Sequence, residues 1–175
     1  MTDLRLSLRP RDIPHRWAMR SFRTLLCGEF AAPGCGERRM LERMLRVAPG
    51  GRAHSLLGAQ LPAANAPDAI AQAERHLARE TVDIVLIDLR GPLMNALSLV
   101  GRLRAASRGS VVFVGVMPDQ ADQATCLYLA AVLDALVERP FTSCILHAAI
   151  ADALHRAADF AGRSQASTPI SLAVH

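Results

Sequence analysis

Lysine is absent from this chain: all 20 basic residues among its 175 are arginine. Aromatic residues make up only 4% of the sequence. No apolar run reaches the roughly 18 residues that a membrane-spanning helix needs, and the start of the chain, with Asp3 and regularly spaced arginines, shows no apolar signal-peptide core. These absences exclude any site that depends on a lysine, and they predict a cytoplasmic protein with no membrane partner.

Several catalytic and cofactor motifs are also missing. The four cysteines form no CxxC pair, and the histidines share no metal-ligand spacing. The glycine-containing segment FAAPGCGERR, at 30–39, lacks both the G-x-G-x-x-G and the GK[ST] patterns of phosphate-binding loops. We therefore expect no enzyme and no tightly bound cofactor, with a nucleotide site beside Gly34 and Gly36 kept as an alternative.

Positive charge is concentrated at the start of the chain. The formal net charge is +4, and the first 23 residues contain Arg5, Arg9, Arg11, Arg16, Arg20 and Arg23 against two acidic residues. Residues 1–21 are interpreted as a basic extension. A disordered tail, an added strand or wrap in a homodimer, and a contact with RNA are all open interpretations of it.

Apolar runs alternate with amphipathic segments from Phe22 onward. The pattern predicts strands over 22–28, 53–61, 81–89, 110–117 and 135–138. Helices are predicted around 40–47 and over 67–79, 95–106, 119–133 and 143–161. Such alternation predicts an α/β domain over 22–163, with a five-stranded parallel sheet, helices on both faces and a flexible tail at 164–175.

Two segments carry a more specific signal: VDIVLIDLRGPLMNAL at 82–97 and ALVERPF at 135–141. The first resembles the third strand and following loop of a response-regulator receiver domain, and the second resembles the end of that family's fifth strand. In receivers the Asp that ends the third strand accepts a phosphoryl group, and Asp88 stands at that position. The resemblance extends over about 22–161 and implies the flavodoxin-like (βα)5 receiver fold.

The resemblance fails at the residues on which receiver chemistry depends. The changed positions are the first of the acidic pair, the phosphoryl-binding hydroxyl, the switch aromatic and the lysine, here Gly28, Gly115, Leu136 and Arg139. Glu29 and Asp88 remain. A guanidinium does not replace a compact ammonium. We therefore expect Arg139 to pair with Asp88 or Glu29, because a partly buried carboxylate without a counter-ion is costly.

The main hypothesis is a degenerate receiver, or pseudo-receiver, that regulates or signals by binding a protein partner without being phosphorylated. It is similar to the receivers of ANTAR antiterminators, although the sequence ends before such an output domain. The first alternative is a working single-domain response regulator with Asp88 as phospho-acceptor and weak Mg²⁺ binding by Glu29 and Asp88. The second is a small nucleotide-binding protein with a crevice at the carboxyl ends of its strands.

The segment from Leu127 to Leu136 is unusually apolar for a surface helix and its following strand. Receivers commonly dimerise or bind partners through this face, so Tyr128, Leu129 and Val132 are candidate interface residues. Ordinary core packing is the alternative explanation. A homodimer through this face or through the N-terminal extension is one form that the expected protein partner can take.

Overall fold

Strands and helices alternate along the computed structural model, which describes residues 21–32, 34–46, 54–59, 67–90, 93–107 and 110–166. The strands are β1 Phe22–Cys27, β2 His54–Ala59, β3 Ile84–Asp88, β4 Val112–Met117 and β5 Ala135–Glu138. The helices are α1 Gly36–Arg46, α2 Pro67–Arg79, α3 Leu93–Ala106, α4 Gln123–Ala130 and α5 Ser143–Ala166. A 3-10 turn, Glu29–Ala31, follows β1.

The strands lie side by side in the order β2-β1-β3-β4-β5, and each neighbouring pair is parallel. β3 lies at the centre, and its residues from Ile84 to Ile87 are fully buried, as expected for a strand covered on both faces. The register places Cys27 of β1 beside Ile87 and Val116 of β4 beside Asp88. The carboxyl ends of β1, β3 and β4 therefore meet at one edge of the sheet.

Helices cover both faces of the sheet, because successive side chains of a strand point to opposite faces. The layer that contains Leu86 of β3 also holds apolar side chains from α1 and α5, namely Leu41, Leu45, Leu146 and Ile150. The layer that contains Val85 holds side chains from α2, α3 and α4, namely Ala73, Leu77, Leu103 and Leu129. The predicted α/β fold, a parallel sheet with helices, is confirmed.

The ends of α4 and α5 differ from the prediction. α4 begins at Gln123 rather than near 119, because the Asp122 side chain accepts a hydrogen bond from the Thr125 backbone N–H at 2.9 Å and so caps the helix. It also ends at Ala130, before a turn that leads into β5. α5 continues to Ala166, so the predicted end near 161 is wrong and residues 164–166 of the proposed tail are helical.

The predictions for residues 1–20 and for the tail after Ala166 lie outside the described residues. Within the described part of the chain, no helix combines the length and the apolar character needed to cross a membrane.

Candidate functional site

The candidate site is built around Asp88, the last residue of the central strand. Its side chain is only 2% exposed. Gly28, which follows β1, approaches it so closely that a Cβ on Gly28 would lie 2.2 Å from the Asp88 Cβ. Gly28 also has φ of +129°, a conformation that glycine adopts far more easily than other residues. In this arrangement a side chain at position 28 would therefore overlap Asp88.

Arg139, directly after β5, lies beside Asp88. Its Nη2 is 3.2 Å from Asp88 Oδ1, and its Nε is 2.7 Å from Glu37 Oε1. Nη1 donates to the carbonyl oxygens of Val116 at 3.1 Å and Met117 at 3.0 Å. The predicted contact between Arg139 and Asp88 is therefore present. The second carboxylate partner of Arg139 is Glu37 of α1. It is not Glu29, which the sequence analysis gave as the alternative partner of Arg139.

Arg90 is a residue of the site that the sequence analysis did not identify. Its Nε lies 3.0 Å from each carboxylate oxygen of Asp88, and its Nη2 also bonds Asp88 Oδ2. Nη2 is 3.2 Å from Glu37 Oε2, and Nη1 is 3.6 Å from Glu29 Oε2. The hydrogen bond to Asp88 and then the charges of Asp88, Glu37 and Glu29 raise the pKa of Arg90 above its usual range, although partial burial opposes this. Arg90 therefore stays charged.

The site combines three carboxylates with two guanidinium groups, which leaves a formal charge of −1. Glu37 lies in the first turn of α1. Acidic side chains are favoured in a first helical turn by the helix dipole, and here that carboxylate also joins the two arginines. The sequence holds one indication that Arg90 could join the site: it lies two residues after Asp88, and arginine is the only strongly basic residue type in the chain.

A Mg²⁺ ion, which the receiver resemblance implies, does not fit the residues in this arrangement. The guanidinium of Arg90 lies against both carboxylate oxygens of Asp88, and Gly28 offers no side-chain ligand. Among the residues described, no group of three His, Cys, Asp or Glu side chains is spaced to hold a metal ion. Mg²⁺ demands near-ideal octahedral oxygen ligation at about 2.0–2.1 Å, which these side chains do not offer.

The position of the receiver hydroxyl is closed by leucines. Gly115 lies in β4 beside Ile87. A Cβ on Gly115 would lie 2.5 Å from Leu89 Cδ1, 2.7 Å from Leu133 Cδ1 and 3.0 Å from Leu136 Cδ2. Leu136, at the aromatic switch position, thus fills space that a longer side chain on Gly115 would need. The site has neither the hydroxyl nor room for it.

The candidate interface residues divide into exposed and buried ones. Tyr128 is 63% exposed, and its neighbour Leu127 is 67% exposed. Val132 is half-buried and packs against the core. Leu129 is only 2% exposed, so its assignment to an interface is wrong: it points from α4 into the layer under the sheet. The exposed apolar surface on α4 is therefore formed by Leu127 and Tyr128.

The nucleotide-binding alternative gains no support from the loop after β1. Gly34 has φ of +82°, and Gly36 starts α1. Glu37 brings a carboxylate to the N-terminus of α1, where a phosphate would otherwise bind.

A cleft of about 770 Å³ lies elsewhere, where β4 and β5 begin, and is lined by Val111 and Ala135 among others.

Cys27 does not provide a nucleophile, because burial raises its thiol pKa to about 12 and the reactive form of cysteine is the thiolate.

Solved structures share the fold of this chain. A structure described as the signal receiver domain of a LuxO repressor protein from Vibrio parahaemolyticus has a TM-score of 0.58 and 11% identity, covering 85% of this chain and 99% of its own. A CheY-like response regulator receiver domain protein from Methanospirillum hungatei JF-1 has a TM-score of 0.55 and 16% identity, covering 80% and 99%. A structure described as a pilus assembly protein from Burkholderia thailandensis E264 has a TM-score of 0.52 and 20% identity, covering 79% and 98%.

No protein-family model matches the chain, and no curated protein sequence matches it. The structural likenesses show a receiver-like α/β fold.

Proposed function

We propose that this chain is a signalling or regulatory module on a receiver fold, which binds a protein partner and works without phosphorylation of Asp88. The observation that carries the proposal is the engagement of the Asp88 carboxylate by two arginines. Oδ1 lies 3.0 Å from Arg90 Nε and 3.2 Å from Arg139 Nη2, and Oδ2 is bonded by Arg90 as well. A carboxylate acts as a nucleophile through an oxygen that can reach the phosphorus atom, and both oxygens already have guanidinium partners.

The surroundings of Asp88 support the same proposal. Charge that develops on a transferring phosphoryl group must be stabilised by aligned donors or cations. Gly115 supplies no hydroxyl donor, and the leucines around it occupy the space of one. Arg139 is tied to Glu37 and to two carbonyl oxygens of β4. The guanidinium of Arg139 is therefore already hydrogen-bonded to groups of the protein itself.

The exposed pair Leu127 and Tyr128 on α4 is the surface we assign to the partner. Both side chains are large and mostly exposed, and exposed apolar surface can mark a protein contact site. A structure with the same fold is described as a pilus assembly protein, so the fold is not restricted to proteins described as receivers. A second copy of this chain or another protein can occupy this surface.

The test is exposure of the purified chain to Mg²⁺ with acetyl phosphate, and separately with beryllofluoride, beside the Asp88→Asn variant. Intact mass and backbone NMR shifts are the measurements. We expect no mass gain and no change in the shifts of residues 28–30 and 88–90. A mass gain of one phosphate that is lost in Asp88→Asn would instead establish the alternative, a phospho-accepting response regulator.

A further inference from the structure

We infer that Arg90 is a built-in counter-ion that takes the place of a divalent cation, so that the arrangement of Glu29, Glu37 and Asp88 does not depend on a metal. This inference deepens the proposed function, on which it rests, because it explains how a receiver-like site is held in one arrangement without phosphorylation or Mg²⁺.

Arg90 links three separate segments through one side chain. Asp88 ends β3, Glu29 belongs to the 3-10 turn after β1, and Glu37 lies in the first turn of α1. The guanidinium nitrogens of Arg90 reach these carboxylates at 3.0, 3.6 and 3.2 Å respectively. A planar guanidinium presents five N–H donors in a fixed fork, and so it can contact several carboxylates from different segments at once.

Arg139 does not duplicate this role. It contacts Asp88 and Glu37, and its remaining described polar contacts are to carbonyl oxygens of β4. Glu29 has its described ion pair with Arg90 alone. Arg139 thus fixes the site to the sheet, whereas Arg90 joins the turn after β1 to the end of β3.

Removal of Arg90 would make the site more negative. Three carboxylates would face one guanidinium, and the formal charge of the site would change from −1 to −2. Like charges near a buried carboxylate disfavour its ionised form. Asp88, at 2% exposure, cannot relieve this by turning to solvent. The folded state should therefore lose stability, and an added cation should restore part of it.

The experiment compares the full chain with Arg90→Met, Arg90→Lys and the matched control Arg102→Met. Arg102 forms a two-point ion pair with Glu74 at 2.8 Å between α3 and α2, and it contacts none of the three site carboxylates in the described ion pairs. Urea unfolding of each protein is measured by circular dichroism with MgCl₂ and with a chelator. Amide shifts of residues 28–30, 37 and 88–90 are recorded in the same buffers, without any phosphoryl donor or partner.

We expect the unfolding midpoint and these amide shifts of the unaltered chain to be the same with Mg²⁺ and with chelator. Arg90→Met should lower the folded-to-unfolded ratio by about tenfold, more than Arg102→Met, because it leaves a buried carboxylate with less compensation. Mg²⁺ should recover part of that loss, and Arg90→Lys, which keeps the charge, should lose less.

A rise in the midpoint of the unaltered chain with Mg²⁺, together with shifts around Asp88, would show that the native site takes a metal and would overturn the inference. Equal losses in Arg90→Met and Arg102→Met would overturn it too, since Arg90 would then be an ordinary surface ion pair. If Arg90→Met does not fold, the inference is tested by two other measurements: the stability of Arg90→Lys and the response of the unaltered chain to Mg²⁺. Because phosphoryl donors are absent, these outcomes are independent of whether Asp88 can be phosphorylated.

Discussion

Gly28 lies so close to Asp88 that the site has no room for a side chain at position 28. Its φ of +129° is unfavourable for a residue with a side chain, and a Cβ would overlap Asp88. We expect Gly28→Ala to destabilise the fold by about 1–3 kcal/mol or more, from backbone strain and steric overlap. Urea unfolding followed by circular dichroism measures the change.

Gly101 supplies the control for this prediction. It lies inside α3, and a Cβ there would meet nothing within 4 Å. Gly101→Ala should raise stability by about 0.5–1 kcal/mol, because alanine is the better helix former. Equal effects of the two substitutions would refute the steric argument. The same overlap implies that Gly28→Asp cannot restore the acidic pair of a receiver.

The residues of the site were only partly predictable from sequence. The pairing of Arg139 with Asp88 followed from charge balance at two positions that the receiver resemblance identified. The contact of Arg139 with Glu37 joins residues 102 positions apart, and no local pattern indicates it. Arg90 was missed for a related reason: its role depends on the turn after β1 and the start of α1 lying beside the end of β3, which only the folded sheet brings about.

At the scale of the elements, one polar side chain caps the N-terminus of α4. Asp122 caps the helix, and hydrogen bonds from Thr125 lower the pKa of Asp122 below its ordinary value of 3.8. A carboxyl whose folded pKa is depressed stabilises the fold above its unfolded pKa, and this stabilisation is lost as the pH falls through the folded pKa. The cap should therefore act at neutral pH and fail in acid.

We expect Asp122→Ala to increase hydrogen exchange of the α4 amides at neutral pH, with the difference from the unaltered chain disappearing in acid. Asp122→Asn is the matched control, since Asn caps helices about as well as Asp but does not titrate. It should keep the slow exchange at neutral pH and show no loss of the cap in acid. Equal exchange in all three proteins at neutral pH would mean that other contacts hold α4.

The ends of the elements show where sequence periodicity stops being informative. The predicted bounds of α2 and β5 agree with the structure, because Pro67 marks the start of α2 and β5 is a short apolar run between turns. α4 was predicted too long, since the apolar run that continues to Leu133 resembles helix although its last part forms the turn before β5. Tertiary packing decides such ends, and an apolar run alone does not mark them.

At the scale of the whole molecule, one sheet forms the shared wall of two apolar layers. Leu86 belongs to the layer with α1 and α5, and Leu103 belongs to the layer with α2, α3 and α4; both are completely buried. Loss of packing in either layer should therefore destabilise the same cooperative unit. Leu127, in contrast, lies 67% exposed on α4 and contributes little to either layer.

This contrast separates the core from the surface that we assign to a partner. Leu86→Ala should lower the free energy of unfolding by about 2–5 kcal/mol, from lost burial and a remaining cavity. The double substitution Leu127→Ser and Tyr128→Ser should change it by only about 0.5 kcal/mol per site, because exposed side chains lose few contacts. Urea unfolding of the three proteins tests both expectations.

Sedimentation velocity over a range of concentrations then tests the partner surface, with the double variant as a folded comparison. If a second copy binds there, the unaltered chain should shift from monomer to dimer with concentration and the double variant should stay monomeric. Dimers in both proteins would place the contact on another face. A monomer in both would exclude self-association through Leu127 and Tyr128 at these concentrations. If a different protein binds this surface, the double variant should abolish its binding.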